Sequence, residues 1–161
     1  MKKPKNPLIY VIDPNVSYGK IIRTCLKATG YGNIRLFEST GECILAGGSP
    51  DIIILDNNQG KYHLSGIEFV RIYRNKFSST HFIFLSSNTD LDIAVSAMKL
   101  GAYDYIAKSK MGLERLVERV DKLVSVYIKD RYRRTIQRLT LVILGIFSVA
   151  FLLAIILYTH Q

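Results

Sequence analysis

Four side chains with chemical potential stand at the ends of short apolar runs. Asp13 closes LIYVI, Asp56 closes DIIIL, Ser86 closes HFIFL with Ser87 beside it, and Lys108 follows YDYIA. Any one of them alone is an ordinary polar residue at a strand end. Two acids, a hydroxyl and a lysine on one rim are different. Carboxylate oxygens suit a hard cation, while a hydroxyl and an ammonium donate to the oxygens of an anion. The residue types therefore describe an anion and metal site, provided the fold gathers the four ends. His63 and His81 lack metal-spaced partners and read as ordinary polar positions. The chain carries no GxSxG, P-loop or HExxH pattern, which argues against a hydrolase.

The elements that must position these residues alternate along the chain. Residues 8–12 read as a buried strand. Residues 16–29 read as a helix with Ile21, Ile22, Cys25 and Leu26 at helical spacing, ending at Gly30. Then come a strand at 33–37, a short helix at 41–47 and a strand at 51–56. A helix at 66–76 carries Ile67, Phe69, Val70 and Tyr73, and a strand follows at 81–86. The next helix, 91–100, carries Ala94, Ala97 and Met98, and precedes a strand at 103–107. A last helix, 113–128, places Leu116, Val117, Val120, Leu123, Val124 and Tyr127 on one stripe. Runs such as IIIL and FIFL do not alternate, as expected of strands buried on both faces. Five such units imply an α/β fold: a five-stranded parallel sheet with helices on both faces. In such folds function sits at the carboxyl ends of the strands, where the four residues lie.

Charge and hydropathy add a second theme. The 161-residue chain has a formal charge of +9, and Lys129, Arg131, Arg133, Arg134 and Arg138 crowd together against a lone Asp130. They directly precede residues 139–158, LTLVILGIFSVAFLLAIILY, which contain no charge. At about 1.5 Å per residue this stretch would span the roughly 30 Å of a bilayer core. The arginines then form a positive juxtamembrane flank rather than a nucleic-acid surface, so nucleic acid is not the expected partner. The organisation expected is a basic tail at 1–6, a domain at 7–128, a basic juxtamembrane helix at 129–138, a transmembrane helix at 139–158 and a tail at 159–161. The positive flank keeps the domain in the cytoplasm, on the inner (cytoplasmic) membrane in a single-pass, tail-anchored arrangement. Tyr158 would sit at the far interface, and Ala150 with Ala154 offers a small-residue helix contact. No apolar signal sequence follows the N-terminus. Cys25 and Cys43 sit in apolar contexts and read as reduced, buried thiols.

The motifs VID (11–13), DIIILD (51–56), FLSS (84–87) and LGAYDYIAK (100–108) together resemble a response-regulator receiver domain, flavodoxin-like in topology, over about residues 7–127. The resemblance implies roles. Asp56 matches the aspartate that accepts a phosphoryl group from a histidine kinase. Asp13 matches a strand-one acid that, with Asp56, positions Mg²⁺. Ser86 and Lys108 match the hydroxyl and the lysine that contact the phosphoryl group. Tyr105 matches the aromatic that swings inward when the hydroxyl residue moves. Such a carboxylate attacks the phosphorus of a highly negative group, which a cation and an ammonium neutralise while a hydroxyl donates to an equatorial oxygen.

The sequence departs from the family pattern at three places. Pro14 replaces the second of two adjacent acids, which implies weakened Mg²⁺ binding unless Asn15 or water substitutes. The loop after Asp56, NNQGKYHLSG, is longer than usual and lacks its proline. Ser109 follows Lys108 where the family has a cis proline, so a less constrained loop is expected. Two readings stay open. In one, the chain is a membrane-anchored single-domain response regulator, phosphorylated on Asp56 by a histidine kinase or other phosphodonor, and it switches protein contacts. In the other, it is a degenerate pseudo-receiver serving as a constitutive adaptor or structural subunit of a membrane complex. Either way it is expected to be a signalling module, not an enzyme. The resemblance places the partner surface on the fourth helix, fifth strand and fifth helix, which also offers pairing with a second copy as a homodimer.

Overall fold

A computed structural model describes residues 6–60, 64–76, 80–87 and 90–159, with side chains described in these ranges except at 76, 127–138, 147 and 149–159. The order is β1 (Ile9–Ile12), α1 (Val16–Ala28), β2 (Ile34–Phe37), α2 (Thr40–Ala46), β3 (Ile52–Leu55), α3 (Gly66–Lys76), β4 (His81–Ser86), α4 (Leu91–Lys99), β5 (Asp104–Ala107) and α5 (Lys110–Thr159). The strands form one parallel sheet in the order β2-β1-β3-β4-β5. The five-stranded α/β architecture expected from the sequence is therefore present. The order reverses between β1 and β3, where a crevice opens at the carboxyl ends.

The centre of the sheet is buried on both faces because β1 and β3 are apolar at every position and β4 is apolar from Phe82 to Leu85. Tyr10, Ile12, Ile53, Leu55, Phe82 and Phe84 join Phe69, Val70 and Tyr73 of α3, Ala97 of α4 and Cys43 of α2 in one cluster. The alternate residues Ile9, Val11, Ile52, Ile54, Ile83 and Leu85 are equally buried and point to the other face, since successive strand side chains alternate. Ile22 and Leu26 of α1 and Leu116 and Val120 of α5 are buried as well. The apolar stripes are narrower than expected. Ile21 is 46% exposed and Met98 49%, because each lies one position off the row that faces inward.

Helix starts are set locally. Asn15 caps α1 by accepting from Tyr18 N at 3.0 Å. Ser39 caps α2, which moves its start to Thr40. Ser65 and Glu68 bond reciprocally at the start of α3. At α5, Ser109 Oγ accepts from Gly112 N at 2.9 Å and Ser109 O accepts from Leu113 N, so the helix begins at Lys110, earlier than its apolar stripe.

Gly66 shows how tightly α3 meets the sheet end. A Cβ there would stand 2.8 Å from Phe84 Cε1, 2.9 Å from Asn57 Cα and 3.0 Å from Asp56 O. Two of these neighbours are backbone, so Gly66→Ala forces the Asp56 loop to move. The expected cost is about 1–3 kcal/mol in a urea melt, and an unchanged midpoint would refute this.

The chain divides into two compact units, Met1–Lys122 and Leu123–Gln161, the second being the remainder of α5. Among the described residues no helix is long and apolar enough to cross a membrane. Most side chains of the expected span 139–158, the basic flank Arg131, Arg133, Arg134 and Arg138, the pair Ala150 and Ala154, and Tyr127 lie outside the described side chains, as does His63.

Candidate functional site

Asp13 directly follows β1 and Asp56 directly follows β3, so hydrogen-bonded neighbouring strands deliver the two acids side by side at the topological switch. Ser86 ends β4 and Lys108 follows β5. The structure brings all four together. Lys108 Nζ lies 2.7 Å from Asp13 Oδ2 and 2.7 Å from Asp56 Oδ2. Ser86 Oγ donates to Asp56 Oδ1 at 2.5 Å, and Asn58 N donates to the same oxygen at 3.0 Å. The acids are 3% and 4% exposed and Ser86 is fully buried. Asp56 thus has both oxygens held by donors before any ligand arrives.

Lys108 is fixed more firmly than the sequence suggested. Its backbone N donates to Ser86 O at 2.9 Å, and the turn after it is closed by the Ser109 cap. Gly112 approaches so near that a Cβ there would stand 2.1 Å from Ala107 O. Ser109 therefore constrains this turn by hydrogen bonding, with no cis peptide among the described residues.

Burial alone would lower the Lys108 pKa. Hydrogen bonds to Asp13 and Asp56, with the charges of both acids, outweigh it and hold the ammonium above the ordinary value of 10.5. A raised folded-state pKa contributes stability that is complete below the unfolded value and is lost as pH rises through the folded one. Urea melts taken from neutrality to above pH 10.5 should therefore show the wild type losing more stability than Lys108→Met. Tyrosine ionisation is common to both proteins, so parallel curves would contradict the assignment.

Tyr105 stacks on Phe84 with centroids 5.7 Å apart and an interplanar angle of 20°. Burial raises its phenol pKa, and a hydrogen bond with Ser86 acts against this. The aromatic that the resemblance assigned to switching is thus in direct contact with the hydroxyl residue.

The residues suit a hard cation in kind. Asp13 and Asp56 offer carboxylate oxygens, and Mg²⁺ is commonly held by one or two carboxylates plus waters and phosphate. They are few in number. Pro14 supplies no side-chain ligand, and the Asn15 side-chain oxygen accepts from Tyr18 N as the cap of α1. Among the described residues no three His, Cys, Asp or Glu side chains cluster as a metal site.

Sequence reasoning missed three residues. Gln59 is 3% exposed; its Nε2 donates to Asp56 O at 2.7 Å and its Oε1 accepts from Thr40 N at 3.1 Å. It ties the loop after Asp56 to the start of α2. Asn57 accepts from Ile67 N at 3.2 Å and joins the same loop to α3. The extra length and polar composition of NNQG were the available signal. Tyr18, in the first turn of α1, places its ring over Lys108 Nζ at 4.8 Å. The cap at Asn15 places it in the first turn of α1, and nothing in the sequence sets that turn against Lys108.

Comparison with known proteins bears on this arrangement. The response regulator receiver domain family matches residues 9–121. The DNA-binding transcriptional regulator NtrC of Escherichia coli (strain K12) is 25% identical over 132 residues, covering 81% of this chain and 27% of NtrC. The nitrogen assimilation regulatory protein NtrX of Azorhizobium caulinodans is 25% identical over 133 residues, covering 82% of this chain and 29% of NtrX. The chain therefore spans less than a third of the length of these relatives. Among solved structures, a response regulator from Thermotoga maritima aligns with a TM-score of 0.64 and 27% identity, over 75% of this chain and 99% of that one. A family match over most of the chain, joined to this sheet order and this set of strand-end residues, shows that the chain belongs to the response regulator receiver family.

Proposed function

We propose that this chain is a membrane-tethered receiver that accepts a phosphoryl group on Asp56 from a histidine kinase or other phosphodonor and changes its protein contacts in response. The observation that carries the reading is the environment of Asp56: Ser86 and Lys108 hold opposite oxygens of one buried carboxylate. A hydroxyl and an ammonium so placed suit the oxygens of a phosphoryl group on that carboxylate. Asp13 and Asp56 would hold Mg²⁺, which when bound supplies positive charge to the phosphoryl oxygens, weakly here because Pro14 replaces an acid. The contact between Ser86 and Tyr105 supports a route from the site to α4, β5 and α5. On α4 and α5 Leu91, Val95, Met98 and Met111 are exposed, as is Tyr103 just before β5, which suits a protein partner or a second copy of the chain.

The membrane part of the reading rests on sequence. Twenty uncharged residues at 139–158 follow a cluster of arginines, the pattern of a helix whose basic end stays in the cytoplasm. One observation favours a second reading. Lys108 already bridges both acids and Pro14 removes a ligand, as suits a pseudo-receiver that docks a partner without phosphorylation.

One preparation tests both parts. The full chain is expressed in bacteria, and the membrane fraction is washed with alkaline carbonate and solubilised in detergent. It is then incubated with Mg²⁺ and phosphoramidate, and its intact mass is read. Retention in the washed membranes with one added phosphoryl group supports the proposal. Release into the wash removes the membrane tether, and folded protein without modification favours the pseudo-receiver.

A further inference from the structure

Lys108 has a third partner besides the two acids. The ring centroid of Tyr18 lies 4.8 Å from its ammonium nitrogen, inside the roughly 6 Å over which an aromatic face attracts a cation. The placement is built from the strand end outward. Asp13 Oδ1 accepts from Asn15 N at 2.8 Å, and the Asn15 side chain accepts from Tyr18 N at 3.0 Å. The acid that binds Lys108 therefore also sets the turn that carries the ring. The contact belongs to the ring and not to the hydroxyl, which is buried without a hydrogen-bond partner.

We infer that Tyr18 is a positioning residue of the phosphoacceptor site, its ring holding the Lys108 ammonium between Asp13 and Asp56. The inference rests on the phosphoacceptor reading above for its kinetic consequence and on geometry alone for the contact. Tyr18 also continues the helical row of Ile22 and Leu26, so a packing role must be separated from a positioning one. The difference is that a positioning ring acts through Lys108.

In the assay reaction the P–N bond of phosphoramidate breaks and a bond forms between phosphorus and an Asp56 oxygen. The nitrogen takes a proton from water and leaves as ammonia with the bonding pair. Lys108 must be held where the transferred oxygens arrive, and a lysine freed from the ring samples other positions. The full chain in detergent, with Mg²⁺ and phosphoramidate, should show Tyr18→Leu phosphorylated roughly five- to tenfold more slowly, the size expected of a partly desolvated cation–ring contact. Tyr18→Phe should recover most of that rate. In a Lys108→Met background, Tyr18→Leu should cause no further slowing. Separate samples treated with an amine-reactive ester should show Lys108 labelled several-fold faster in Tyr18→Leu than in wild type or Tyr18→Phe.

A full additional loss in the Lys108→Met background would overturn positioning in favour of packing. Equal labelling of Lys108 in all three proteins would overturn the contact itself. If even the wild type takes no phosphoryl group, the phosphoacceptor reading falls and the labelling result alone decides the role of Tyr18.

Discussion

Replacing Asp56 by Asn is expected to abolish phosphoryl incorporation while leaving the fold intact. The chemistry depends on a carboxylate oxygen with a lone pair free to attack phosphorus, and an amide oxygen is a far weaker nucleophile. Folding has less at stake. An Asn side-chain oxygen can still accept from Ser86 Oγ and Asn58 N, as Asp56 Oδ1 does. The amide nitrogen would face Lys108, yet Asp13 remains to pair with that ammonium. Intact mass after incubation with Mg²⁺ and phosphoramidate, alongside a circular dichroism melt, makes the test. Wild type should gain one phosphoryl group and Asp56→Asn none, with a cooperative melt in both. Modification of the variant would show that another residue is the acceptor and would remove the site assignment.

Lys108→Met should have the largest effect on stability. The substitution keeps an aliphatic side chain of similar length but takes the ammonium away from two buried carboxylates. Breaking a buried charge group by removing one member leaves the others uncompensated, and the expected loss is about 3 kcal/mol at neutral pH. Urea denaturation at neutral pH would show the effect. A variant as stable as wild type at neutral pH would mean that the acids are compensated by another charge, which would redraw the electrostatics of the site. The same variant should phosphorylate slowly even where it folds, since the ammonium that would meet the phosphoryl oxygens is gone.

The two predictions also separate the readings of the protein. A pseudo-receiver would depend on Lys108 for stability and be indifferent to Asp56→Asn in partner binding. A phosphoacceptor needs both residues. The acid–lysine–acid bridge is common ground, since it stabilises the unphosphorylated domain in either case.

The alternation of apolar runs and helical stripes was enough by itself to determine the sheet, its parallel sense and the rim on which chemistry could occur. Strands such as IIIL and FIFL have no polar face, so only a layered fold with helices on both sides can bury them. Asp13, Asp56, Ser86 and Lys108 were legible for the same reason: each directly follows or ends such a run, and a parallel sheet aligns those ends. Tertiary structure alone decided what each atom meets. Nothing local says that Lys108 binds both acids at once, or that Gln59 reaches back to the Asp56 carbonyl and across to Thr40. These contacts join residues far apart in the chain, and their geometry depends on strand register and on caps such as Asn15 and Ser109. At the turn after Lys108, where the sequence lacks a proline, the structure shows a hydroxyl cap from Ser109 and a close approach of Gly112. Tyr18 was invisible for a related reason. The apolar spacing of α1 drew attention to Ile21, Ile22, Cys25 and Leu26, and only the folded turn of α1 puts the Tyr18 ring over the ammonium.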